Sequence, residues 1–162
     1  IKKKSISKLK LCWIGDANNN MMNSLVEACI KFSISLNIAC PKNYQPNKAL
    51  ISLIKKQKGK IKIFNKKETA VKNSDVVMTD KIISLNDKVN KKKKLKSFKN
   101  FKVDTKTMNL AKKDAIFLHC LPRGSEVTEE VFLGKQSRVW QQALNRVYVQ
   151  KSILLYCFGK LR

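Results

Sequence analysis

The sequence predicts an α/β fold: a parallel sheet with helices on both faces, a Rossmann-like three-layer domain. Three observations predict it. Short apolar runs alternate with stretches of helical periodicity along all 162 residues. Every connection between runs is long enough for a crossover, which parallel neighbours need and hairpins do not. Three of the runs also end in polar residues, and in an open parallel sheet such ends gather at the carboxyl edge, where ligands bind. No repeat or low-complexity linker interrupts the pattern, so residues 1–162 are expected to form one domain with a C-terminal helix over 141–158.

Lys8 to Gly15 reads as the first strand, with the polar run Asp16-Ala17-Asn18-Asn19-Asn20 behind it. Met21 to Phe32 carries Met22, Leu25, Val26, Cys29 and Ile30 at helical spacing. Leu36 to Cys40 is a second strand stopped at Pro41, because proline has no N–H for the ladder. Pro46 marks the approach to a helix over Ala49 to Lys56, with Leu50, Ile51 and Ile54 on one face. After Gly59, Lys60 to Phe64 alternates polar and apolar residues as an edge strand does.

Lys67 to Lys72 is a short helix, and Asp75 to Asp80 is a compact strand ending in an acid. Lys88 to Lys99 has little apolar periodicity and reads as a solvated loop or a fraying helix. Thr105 is the expected cap of a helix reaching Lys112, with Met108 and Ala111 inward. Ala115 to Leu118 reads as a buried central strand opening into His119-Cys120-Leu121-Pro122. Glu126 to Phe132 looks helical. Gln141 to Phe158 is a long amphipathic helix bearing Ala143, Val147, Ile153, Leu154 and Cys157, stopped by Gly159.

Composition narrows the function classes. The net charge of +24 invites a nucleic-acid reading, since clustered cations release counterions from phosphates. The basic residues are spread over the chain, however, and only four of the 35 are arginines. No RNP-like aromatic box, GXXG loop or finger accompanies them, so a solvated lysine-rich surface is the favoured reading. The five cysteines form no CxxC pair and have one histidine among them, which argues against zinc and against a disulfide framework. A reducing, cytoplasm-like compartment follows, with the mitochondrial matrix as the alternative. No apolar run approaches the roughly 20 residues that span a bilayer. The chain starts at Ile1 without a signal-peptide pattern and reads as a fragment or processed piece.

Three strand ends, Asp16 to Asn20, Asp80 to Ser84 and His119-Cys120, converge in this scheme, as a ligand site requires. Taken singly each has a plain structural explanation: an Asn run is a turn, an Asp at a strand end is a cap, a cysteine is a small buried hydrophobe, and Arg146 is a surface cation. Taken together they are distinctive. Gly15 to Ser24 (GDANNNMMNS), Thr79 to Asn86 (TDKIISLN), His119-Cys120-Leu121-Pro122 and Ala143-Leu144-Asn145-Arg146 resemble, in order and spacing, the second half of the ornithine carbamoyltransferase family. The likeness covers nearly the whole chain. The family's first domain, with its Ser-Thr-Arg-Thr-Arg phosphate loop, has no counterpart in it.

The resemblance implies transfer of a carbamoyl group from carbamoyl phosphate to the δ-amine of L-ornithine, giving citrulline and phosphate, with no cofactor and no metal. It implies that Asn20, with Asn19 as neighbour, holds the amino-acid end of ornithine. Asp80 and Ser84 take the α-ammonium, and the Leu85 backbone the carboxylate. Cys120 lies against the δ-amine, the Leu121 carbonyl grips the carbamoyl NH2, and His119 and Arg146 donate to the carbamoyl oxygen. It further implies a homotrimer in which carbamoyl phosphate is held mostly by the first domain, and inactivity of this half alone. Ile82, Leu85 and Asn86 stand where the family has Trp, Met and Gly, and Lys81 puts a like charge near the expected ornithine ammonium. Those departures leave a carbamoyltransferase for another amine as an alternative, beside a noncatalytic nucleic-acid-binding module. Arg123, Glu126 and Lys81 are read as surface or loop residues.

Overall fold

The computed structural model describes residues 5–57, 60–83 and 90–160. Five strands, β1 (Lys10–Ile14), β2 (Ser35–Ala39), β3 (Ile61–Phe64), β4 (Val76–Thr79) and β5 (Ile116–His119), form one all-parallel sheet in the order β3-β2-β1-β4-β5. Among the described residues, seven α-helices accompany them: α1 (Asn20–Lys31), α2 (Lys48–Lys55), α3 (Lys67–Val71), α4 (Lys91–Ser97), α5 (Thr105–Leu110), α6 (Glu129–Phe132) and α7 (Val139–Cys157). The predicted fold class holds, and β3 is the edge strand its alternation announced.

Alternate residues of each strand enter opposite cores, as the pleat demands. On one face Trp13, Leu36, Ile38 and Met78 pack against Met22, Val26 and Cys29 of α1 and Leu50 and Ile54 of α2. On the other, Cys12, Ile14, Val77 and Phe117 meet Ala70 and Val71 of α3, Phe98, Phe101, Met108 of α5, and Val131 and Phe132. Burying each large apolar side chain of this kind contributes about 1.5–3 kcal/mol. Asn37, the polar inward residue of β2, is satisfied by donating to the Ala70 carbonyl at 2.7 Å.

Strand order reverses between β1 and β4, so the chain leaves their carboxyl ends in opposite directions and opens a crevice there. Gly15 sits at that point with φ +149°, and a Cβ on it would lie 3.3 Å from Thr79 Oγ1. Only glycine meets both conditions without strain.

Several expectations change. β5 is the last strand of the sheet rather than a central one, and its outer edge is covered by main chain: Phe117 N donates to Gln136 O at 2.8 Å and Arg138 N to Phe117 O at 2.9 Å. The stretch read as a solvated loop or a fraying helix is helical at α4, and Lys94 within it is buried instead of solvated, because Asp16 lies opposite to neutralise it. Asp104, not Thr105, caps α5: its Oδ1 accepts from Thr107 N and Thr107 Oγ1, both at 2.7 Å. Glu126 precedes α6 instead of starting it, and it is 2% exposed.

α7 is the largest departure. Its first turns meet β5 and bury Val139, but Val147, Ile153, Leu154 and Cys157, the apolar residues by which the helix was read as amphipathic, are exposed. The helix runs on past the edge of the sheet, so among the described residues its later turns have nothing to pack against. Among the described residues, no helix is long and apolar enough to cross a membrane.

Candidate active site

Parallel register sets the ends of β1, β4 and β5 level. Trp13 pairs with Met78, Met78 with Leu118, and Thr79 with His119. The polar residues beyond these strands therefore share one edge, spanning the crevice between β1 and β4.

The turn after β1 is built on Asp16. Its carbonyl accepts from Trp13 Nε1 at 3.2 Å and Asn19 Nδ2 at 3.1 Å, and its Oδ1 accepts from Asn18 N at 2.9 Å. Asn19 caps α1, its Oδ1 accepting from Met22 N at 2.9 Å. Both ends of the Asn19 amide are thus used in holding the turn. Asn20, the first residue of α1, is exposed.

A cavity of about 470 Å³ opens between the start of α1, the end of β5 and the first turns of α7. Met21, His119, Cys120, Leu121, Gln142, Ala143 and Arg146 line it. Cys120 faces the Asp80 side chain. Burial pushes its thiol up to about 11, with the Asp80 charge and hydrogen bond adding to the rise and the Arg146 guanidinium opposing it. At neutral pH the sulfur is therefore a thiol whose S–H points to a carboxylate, not a thiolate. Asp80 is held by the Lys81 amide, which donates to its Oδ1 at 2.7 Å.

His119 turns the other way. It is 1% exposed, its Nε2 lies 3.0 Å from Glu126 Oε1, and its Nδ1 contacts the Cys120 carbonyl. Both ring nitrogens are engaged inside the chain, so the expected donation to a substrate oxygen is not available to the ring as it stands. Glu126 also accepts from the Gly124 amide and, at 3.4 Å, from Ile82 N. Burial raises its carboxyl, but the His119 and Gly124 hydrogen bonds outweigh that and hold it below the usual carboxylate range. The His119 amide donates to Gln142 Oε1 at 3.0 Å, tying β5 to α7.

The structure thus brings His119, Cys120, Leu121, Asp80 and Arg146 together and spends Asn19 on the turn. Ser84 and Leu85, with the departure at Asn86, lie outside the described residues. Ile82 is buried in the core rather than on the cavity wall. Glu126 is read from the sequence only as a surface or loop residue, Gln142 is not singled out at all, and Lys94 is read only as part of a solvated stretch. The spacing of Lys94, Phe98 and Phe101 along one side of the chain was a usable signal for the last.

The fold and site define a doubly wound α/β domain with a cavity at the carboxyl edge of its sheet, between α1, β5 and α7. The domain family described as aspartate/ornithine carbamoyltransferase, Asp/Orn binding domain, matches residues 7–157, and the chain belongs to it. Among curated relatives, the ornithine carbamoyltransferase of Methanocorpusculum labreanum is 41% identical over 91% of this chain and 48% of its own length. That of Ruthia magnifica is 42% identical over 94% and 50%. Among solved structures, the Pyrococcus furiosus ornithine carbamoyltransferase superposes with a TM-score of 0.85 at 32% identity, covering 98% of this chain and 52% of that one. The chain spans about half the length of the curated relatives it matches.

Proposed function

We propose that this chain supplies the ornithine-binding half of an ornithine carbamoyltransferase. The observation that carries the reading is the grouping of Cys120, Asp80 and Arg146 at a cavity on the switch-point edge, in a chain whose relatives bear that name. The neutral δ-amine of ornithine attacks the carbonyl carbon of carbamoyl phosphate. The C–N bond forms, the C–O bond to phosphate breaks, and the amine proton leaves with the departing phosphate.

The chain's part in this is orientation and charge. Cys120 gives its S–H to Asp80, which leaves a sulfur lone pair to accept from the δ-amine and aim the nitrogen at the carbonyl carbon. Arg146 borders the same cavity and supplies a guanidinium to the oxygen on which negative charge develops. The Leu121 carbonyl takes the carbamoyl NH2, and Asn20, Asp80, Ser84 and the Leu85 backbone take the amino-acid end. His119 acts through Glu126, fixing the end of β5 from which Cys120 and Leu121 project. The intact enzyme is a cytoplasmic homotrimer in which carbamoyl phosphate is gripped mostly by the other half.

Joining this chain to the first half of the Methanocorpusculum relative tests the reading. The fusion should form citrulline from L-ornithine and carbamoyl phosphate, and the 162-residue chain alone should form none. Citrulline from the chain alone would refute the division of labour. Turnover of aspartate or another amine in place of ornithine would refute the substrate.

A further inference from the structure

We propose that Lys94 is a positioning residue for amino-acid recognition: its buried ion pair with Asp16 holds the turn that presents Asn19 and Asn20. The recognition half of this statement rests on the ornithine reading above; the positioning half does not.

In a chain so rich in solvated lysines, Lys94 is 6% exposed. Its Nζ lies 2.7 Å from Asp16 Oδ2, with the two side chains 7% and 10% exposed. Burying a charge is costly unless a close partner compensates it, and here the partner belongs to the turn that follows β1. The place is informative. The ammonium is 5.6 Å from the centroid of the Tyr44 ring, and that ring stands 4.7 Å from Phe98, one turn further along from Lys94. The Tyr44 carbonyl in turn accepts from Ala17 N at 3.0 Å. One cation therefore fastens together the segments that follow β1, β2 and β4.

Asp16 transmits that fastening. Its second carboxylate oxygen holds the Asn18 amide and its carbonyl holds the Asn19 side chain, which caps α1 beneath Asn20. Pull Lys94 away and the carboxylate must seek water, taking the turn with it. The pair touches no wall of the cavity at Cys120, so its effect should be confined to the amino-acid end of the site.

The test uses the full chain with three variants: Lys94→Met, Lys94→Arg and the double Asp16→Asn/Lys94→Met. The double removes both charges together and so guards against simple failure to fold. Amide hydrogen exchange at Asn18 and Met22, calorimetric binding of L-ornithine, and alkylation of Cys120 are read in parallel. In Lys94→Met and in the double, exchange at Asn18 and Met22 should rise about tenfold or more, while that at Gly124 stays as it is. Ornithine affinity should fall about tenfold in both and recover in Lys94→Arg, which can restore the pair. Cys120 alkylation should stay unchanged throughout. Unchanged exchange at Asn18 and Met22 would overturn the proposal, as would a double variant that binds ornithine like the parent. Faster Cys120 alkylation in step with lost affinity would overturn it too, by showing general loosening. A parent chain that binds no ornithine, with exchange altered as described, would sink the substrate reading and leave the positioning role standing.

Discussion

The cavity has two unlike walls. The wall at the end of β5 is fixed by a buried polar network in which Glu126 gathers His119, Gly124 and Ile82. The wall on α7, carrying Gln142, Ala143 and Arg146, belongs to a helix anchored at its start and bare along most of its length. Register and hydrogen bonds set the first; the second is held to β5 chiefly through Val139 and the Gln142 contact with the His119 amide. On the proposed reading, the groups that need the finest placement, the Cys120 sulfur and the Leu121 carbonyl, come from the fixed wall. The long-range charge of Arg146, which tolerates looser placement, comes from the other.

The comparison breaks most visibly at Glu126. Glu126→Ala leaves a buried imidazole and a loop amide without their acceptor, which should cost about 3 kcal/mol and lower the Tm of the chain by roughly 6–12 °C. Glu126→Gln, which keeps one acceptor for the ring, should lose about half as much. Thermal unfolding followed by circular dichroism checks both, and a loss under about 1 kcal/mol for the alanine variant would mean the fixed wall is not fixed by this residue.

A pH series separates the same network from its surroundings. The folded-state pKa of Glu126 lies below its ordinary value of 4.5, so its contribution is present above that value and fades as pH falls through the lower folded one. Unfolding free energy from denaturant titrations should therefore decline from about pH 5 to 3 more steeply in the parent than in Glu126→Gln. Equal slopes would remove the carboxylate from the account.

The α7 wall is reported by Cys120. Its thiol is raised to about 11 with Asp80 pushing up and Arg146 pulling down. Asp80→Asn should speed alkylation of Cys120 at about pH 8.5 by several-fold, and Arg146→Ala should slow it by a smaller factor. Mass spectrometry of the alkylated peptides gives the rates, with exposed Cys157 as the internal reference. No change in Arg146→Ala would place the guanidinium too far away to act on the site. The smallest effect belongs to the far turns of α7. Ile153→Lys, on a residue 55% exposed, should change stability by less than about 0.5 kcal/mol. A larger loss would mean that this face is covered in solution.

Much of this was legible beforehand, for identifiable reasons. Apolar runs bounded by Gly15, Pro41 and Gly59 marked the strands to within two residues, and the alternation of runs with helical stretches fixed the parallel sheet. Cys120, Asp80 and Arg146 were named from motifs, and the described residues bring them to one cavity edge. What could not be read is pairing across long separations. Lys94 looks solvated until Asp16 stands opposite it, and Glu126 looks like a loop acid until the fold delivers the His119 ring. The exposure of α7 was hidden for the converse reason: periodicity shows that a helix has an apolar face, but not what the face will meet.

The strand order carries a kinetic consequence. β1 gains β2 as soon as α1 closes the first crossover, but its other neighbour is distant: Lys10 N reaches Asp75 Oδ2 across 65 residues at 3.0 Å. Since no two of the described strands are joined by a hairpin, every pairing among them closes a long loop, a topology that belongs with the slower end of single-domain folding. During synthesis, β1 and β2 emerge with both flanks of the sheet open, and β3 covers only the β2 side. They wait in that state until β4 arrives, and the Asp16 turn acquires its clasp only when α4 has followed.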